Sequence, residues 1–203
     1  MMRAVAFALL AIAAPAIAQE RPKEAAGDAE RITTILKRDL HERGQAKMDR
    51  IELDEVQRAC NLHGDNPPAE LAKRLEEAQL KSIAFPAGSL LGSWQAGERV
   101  AQSGRGMTWS DKPGEAGGSC YNCHRISPKE EAHGTIGPSL AGFGKTRGNT
   151  PETQRYVYGK IWNSKAYNAC SQMPRFGHSG TLTEQQIRDL TALLLDPASP
   201  VNQ

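Results

Sequence analysis

Cys120-Tyr121-Asn122-Cys123-His124 places two thiols three residues apart, with an imidazole immediately after them. Two thiols at that spacing can each add to one vinyl group of a haem, and the adjacent histidine then falls beneath the iron as an axial ligand; this is the c-type haem attachment pattern. A Cys-x-x-Cys unit can also serve as a dithiol redox motif, but that chemistry expects a βαβ context, and the chain has no alternating apolar segment of five or more residues. A zinc site would need a second ligand pair at suitable spacing. One covalently bound haem c is the expected cofactor, with Cys120 and Cys123 as its attachment points and His124 as its near-side iron ligand.

The other axial position needs a donor from a distant stretch. Met173 is the expected one, because Pro174 stiffens the loop Cys170-Ser171-Gln172-Met173-Pro174-Arg175-Phe176-Gly177, which can aim a thioether at the iron. His178 and Cys170 are rivals, and Met107 and His133 occupy less suitable loops. Thirteen residues after His124 comes Gly137-Pro138-Ser139-Leu140. The Pro138 carbonyl could accept the His124 Nδ1–H and fix the ring, or the segment could be an ordinary turn. With Cys120 and Cys123 assigned to haem, Cys60 and Cys170 are left as a disulfide candidate, the alternatives being free thiols, a disulfide to a partner or an iron ligand. Ser139 to Thr146 falls one residue short of a phosphate-binding loop, and Ser139 stands where glycine is required, so nucleotide binding is rejected.

The elements that must position these groups read as helices throughout. Ile32, Ile35, Leu36 and Leu40 recur at helical spacing after Asp28, a second helix fits 49–60, and a third begins at Pro67-Pro68 and carries Leu71, Leu75 and Ala78. These make a charged extension, too small to support its own core and expected to wrap on something else. Beyond Phe85-Pro86, Ser93 can cap a helix through Ser103, and a Gly-rich loop follows from Gly104 to Ser119. Helices then fit Thr150-Pro151 to Trp162 and Thr183 to Leu195, the last opened by the capping box Thr183-x-x-Gln186.

Composition narrows the class. The chain has 203 residues, 39% of them apolar, with 19 Gly and 12 Pro, which excludes disorder and collagen and suits one domain with an extension. A net charge of +2 is too small for a general nucleic-acid binder. Aromatics at 5% leave the core to aliphatic side chains or to a large apolar body that is not an amino acid. From Arg125 to Arg175 there are eight Lys/Arg and three Asp/Glu, which reads either as a positive collar around a redox centre or as solvated helix faces. Met1-Met2-Arg3, the apolar run Ala4 to Ala13 and Ala16-Ile17-Ala18 form an export signal, cut after Ala18. The run is too short for a membrane span of roughly 20 residues, and no later segment qualifies. The mature chain is therefore expected in the periplasm, where disulfides are permitted.

Several stretches go beyond the attachment motif. Gly104 to Gly114, containing Thr108-Trp109-Ser110-Asp111-Lys112-Pro113-Gly114, then Gly117-Gly118 before Cys120, then Gly134-Thr135-Ile136-Gly137-Pro138-Ser139-Leu140, and the Met173-Pro174 loop together resemble SoxX. That family is the monohaem cytochrome subunit of the SoxAX complex of bacterial thiosulfate oxidation. The resemblance covers about residues 89 to 195, and residues 19–88 look like the extension of its longer form. It implies an all-α, class I cytochrome c fold at 89–203 with the N-terminal helical extension before it, and His124 and Met173 as axial ligands. It also implies a SoxA-like haem subunit as heterodimer partner and transient contact with a SoxYZ-like carrier and a downstream electron acceptor. Activity would be that of the electron-transfer subunit of L-cysteine S-thiosulfotransferase, the catalytic site being on the partner. The alternatives are a free-standing electron shuttle and a haem protein that binds a diatomic gas.

Overall fold

The computed structural model describes residues 21–111 and 114–203, with side chains from residue 27 onward. The export signal expected at 1–18, together with Lys112 and Pro113, lies outside the described residues. Among the described residues the structure is helical: α1 (Arg21–Asp39), α2 (Glu55–Leu62), α3 (Ala69–Lys81), α4 (Trp94–Gln102), α5 (Phe143–Arg147), α6 (Pro151–Trp162) and α7 (Glu184–Leu195), with short 3-10 turns between them. None of these helices is long and apolar enough to cross a membrane.

Local signals set most of the boundaries. Ser93 accepts the Ala96 N–H at the start of α4, Thr150 caps α6 ahead of Pro151, and Thr183 and Gln186 form a reciprocal box at α7. The single helix expected over 49–60 is instead a 3-10 turn, Met48–Ile51, followed by α2. The break comes from Asp54, whose carboxylate accepts the Gln57 N–H at 2.9 Å while the Gln57 side chain accepts the Asp54 N–H at 3.0 Å. That box starts a new helix and so ends any continuous one. The five-residue α5, with no sequence signal read for it, follows Gly142 in its left-handed conformation (φ +72°).

The main core is built around α7, whose Ile187, Leu190, Leu193 and Leu195 pack with Ala101, Val157, Tyr158, Ile161 and Val201. Where α4 crosses it the backbones nearly touch: a Cβ on Gly97 would lie 2.2 Å from the Asp189 carbonyl oxygen. The Asp189 carboxylate, buried at the same crossing, accepts the Ser93 N–H at 2.8 Å and the Gln185 amide at 2.9 Å.

A second, smaller core joins the extension to the rest. Val56, Cys60 and Leu75, from α2 and α3, close over Ala169 and Cys170, and Cys60 and Cys170 form a disulfide across 110 residues. α3 runs on into the main body through Ile83, a member of the main core, and through Phe85, whose ring lies 5.8 Å from that of Tyr158 and carries the Arg155 guanidinium 3.6 Å above its centroid. α1 behaves differently. Its stripe of Ile32, Ile35, Leu36 and Leu40 is exposed, and the helix meets α2 and the Met48–Ile51 turn with a Lys37–Glu52 ion pair at 2.6 Å.

Gly97→Ala should force α4 away from α7 and destabilise the fold by about 1–3 kcal/mol, the range for overpacked core positions. Chemical denaturation of the two proteins measures it, and an unchanged midpoint would mean that the crossing relaxes freely.

Candidate haem site

The attachment residues sit on a turn held from both sides. Cys120–Asn122 form a 3-10 turn entered through Ser119 in the left-handed region (φ +48°), with the Cys123 and His124 N–H groups both donating to the Cys120 carbonyl. The end of α4 fixes the approach, as the Gly118 N–H donates to Val100 O at 2.8 Å and the Ser119 N–H to Ser103 O at 3.0 Å. Cys120 and Cys123 both carry free thiols, and Cys120 lies against the main core. Burial pushes the Cys120 thiol up to about 12, so it is neutral near pH 7 and unsuited to thiol–disulfide exchange.

The segment 134–140 straps the far side of this turn. Gly134 N–H donates to Tyr121 O, Gly137 N–H to Cys123 O and Leu140 N–H to Arg125 O, each at 2.8 Å. Two of these residues must be glycine. A Cβ on Gly134 would meet the Asn122 carbonyl oxygen at 1.8 Å, and one on Gly137 would lie 2.2 Å from Cε1 of His124. The imidazole thus rests on the Gly137 backbone, and its Nδ1 lies 2.7 Å from the Pro138 carbonyl oxygen. A carbonyl only accepts, so Nδ1 carries a proton, and in the neutral ring this leaves the lone pair on Nε2, as a metal ligand requires.

Met173 is half-buried against the same core cluster as Cys120. Its main chain is held at both ends: the N–H donates to Ser171 Oγ at 3.3 Å and the carbonyl accepts from Ser164 Oγ at 2.5 Å. Below the loop, the buried Lys165 Nζ donates to the carbonyls of Ala169 (3.1 Å) and Ser171 (3.2 Å). Of the rival donors, Cys170 is in the disulfide with Cys60 and offers no thiolate. His178 is exposed, His133 has its Nδ1 3.1 Å from Gly134 O, and Met107 is more than a third exposed on a loop whose carbonyl accepts from Arg50.

The donor set fits a covalently attached haem. Two unpaired thiols, an imidazole presented through Nε2 and a thioether lie on segments fixed to one core, and imidazole plus thioether is a known pair for haem iron. Sequence reasoning named these four residues and Pro138 but not the groups that hold them in place. Gly134 and Gly137 could have been suspected from their place beside the attachment motif; Ser164 and Lys165 carry no local signal, and that of Asp54 is only for a helix start. The positive stretch 125–175 is also not purely a surface feature, because Lys165 is buried under the Met173 loop and Arg175 pairs with Asp54 at 2.6 Å.

Comparison with known proteins adds two findings. A family model described as cytochrome c matches residues 115–196. An uncharacterized lipoprotein of Aquifex aeolicus (strain VF5) is 36% identical over 155 residues, an alignment that covers 74% of this chain and 73% of the relative.

Gly137→Ala should dislodge the His124 ring and break its bond to Pro138, so that expressed material contains a larger share of chain whose mass equals the bare peptide. Equal haem content in both proteins would show that the strap does not seat the ring. A pH effect follows from Asp54. Burial raises its carboxyl, but the Gln57 N–H and the Arg175 guanidinium outweigh burial and hold it below its ordinary value, with His178 adding in the same sense. A carboxylate held low contributes stability that is complete above its unfolded pKa and is lost as pH falls through its folded pKa. The difference in urea midpoint between the parent protein and Asp54→Asn should therefore be constant near neutrality and shrink below about pH 4.

Proposed function

We propose, from the cytochrome c domain matched at residues 115–196, that this chain is a one-electron carrier acting as the electron-transfer subunit of a SoxAX-type complex. The observation that carries the electron-transfer reading is the attachment turn with His124 oriented by Pro138 and seated on Gly137. The narrower reading is supported by the resemblance of residues 104–114, 117–124 and 134–140 to SoxX.

In this reading Cys120 and Cys123 hold the haem through thioether bonds, and His124 Nε2 and Met173 Sδ are the donors to its iron. When bound, haem supplies a site that gains and loses a single electron, and a thioether ligand favours the reduced form. The chain's own part is positional. The Pro138 carbonyl keeps the imidazole in one tautomer, and the anchored main chain of Met173 keeps the thioether from wandering. No side chain here is assigned a proton to move. The partner would carry the sulfur chemistry, in which a carrier thiol and thiosulfate join through a new S–S bond with release of one proton and two electrons, taken up singly.

The partners proposed are a SoxA-like haem subunit, a SoxYZ-like carrier in transient contact and a downstream electron acceptor. Loop 104–111 offers a surface for the first of these. Trp109 is half exposed with Arg43 stacked over its ring at 3.3 Å, and Thr108 donates through both N–H and Oγ to the Asp111 carboxylate. A location outside the cytoplasm, the periplasm, is supported by the apolar leader, by the Cys60–Cys170 disulfide and by the relative being named a lipoprotein.

A native pull-down from thiosulfate-grown cells, with the bands stained for haem, should bring down a second, larger haem protein. A lone monomer with no thiosulfate-dependent reduction after reconstitution would leave the free-standing shuttle as the function. In the ferric protein the far-red absorption band of methionine–haem coordination should disappear in Met173→Ala. Rapid gas binding by the reduced parent protein would instead indicate an open iron position.

A further inference from the structure

The loop that carries Met173 has no helix of its own, and besides the contacts from Ser164 and Lys165 it is fixed by the N-terminal extension. Ahead of Met173, the Ala169 N–H donates to Glu76 at 2.9 Å, Cys170 is bonded to Cys60, and the Gln172 amide donates to Asp65 at 3.1 Å. Behind it, Arg175 Nη1 donates to Asp54 at 2.6 Å and to Gln79 at 3.2 Å, with the Arg175 side chain only 13% exposed. The extension therefore grips both flanks of one residue.

We propose that α2 and α3 form an external brace for the second iron donor, in which Asp54, acting through Arg175, and Cys60, acting through Cys170, are positioning residues for Met173. The proposal rests on Met173 being that donor. A thioether is a neutral, weakly held ligand, and a loose loop must give up conformational freedom each time the sulfur binds. Fixing both flanks in the folded protein removes that cost beforehand, which is preorganisation in the sense used for any ligand. Asp54 is well suited to the task because it links two elements at once: one carboxylate oxygen caps α2 through Gln57 N–H while the other meets Arg175.

The test uses the intact, haem-loaded ferric protein and follows exogenous imidazole optically as it displaces the native second donor. Asp54→Asn keeps a capping side chain but discharges the pair, and it should bind imidazole about tenfold more tightly than the parent, as expected for loss of one charge-assisted hydrogen bond. Arg175→Gln should do the same from the other side, and the double variant Cys60→Ser/Cys170→Ser should do so to at least an equal extent. Each should also lower the midpoint potential while leaving the helical circular dichroism unchanged. Met173→Ala should bind imidazole most tightly of all, and adding Asp54→Asn to it should change nothing further, because the brace acts only through Met173. If Met173→Ala binds no more tightly than the parent, Met173 is not the donor and the premise fails. If Met173→Ala tightens binding while Asp54→Asn, Arg175→Gln and the disulfide variant match the parent, the donor stands and the brace is overturned.

Discussion

Closure of Val56, Cys60 and Leu75 over Ala169 and Cys170 is the contact on which the arrangement of this molecule depends. Helices α2 and α3 together bury too little apolar surface to persist alone, since a unit of that size rarely supports its own core. They are stable because two residues of a loop more than ninety positions later complete their interior. The dependence runs both ways: the loop gains a wall, a covalent bond and several charged partners from the same helices. What reads as an extension in chain order is, in space, part of the scaffold around Met173.

His124 is held by different means. No disulfide or ion pair fixes His124; the work is done by backbone. Three hydrogen bonds lay residues 134–140 along the attachment turn, and two glycines make the approach close enough for a proline carbonyl to reach the ring. Backbone amides cannot rotate away as long side chains can, so this hold costs little entropy beyond that of the fold itself. His124 and Met173 thus sit in loops, while α4, α6 and α7 supply a rigid base to which both loops are tied. Loops can present a functional group at an arbitrary angle, and packed helices can keep it there.

Charge follows the same division between surface and scaffold. Two of the eight cations between 125 and 175 are committed inside the structure, Lys165 to loop carbonyls and Arg175 to Asp54. Burial, with the Arg175 guanidinium nearby adding to it, pushes the Lys165 ammonium below its ordinary pKa, which the Asp54 and Asp65 carboxylates only partly offset. Exposed apolar residues are likewise grouped. Ile136, 81% exposed, lies beside Gly137 in the strap, and Met107 and Trp109 lie in the loop that leads toward the attachment turn.

By itself the sequence determined the chemistry and most of the helices. Cys120, Cys123 and His124 are neighbours in the chain, so their joint use is written in three positions, and the caps at Ser93, Thr150 and Thr183 act within one turn of the residues they serve. The break before α2 was equally local, in Asp54 and Gln57, but the apolar spacing of 49–60 masked it. Tertiary structure alone decided that the α1 stripe faces outward, that Lys165 points under the Met173 loop, and that Asp54 meets Arg175. Those outcomes depend on which surfaces meet across as many as 121 residues, and no periodicity or spacing within a segment encodes a contact whose other half lies in another segment.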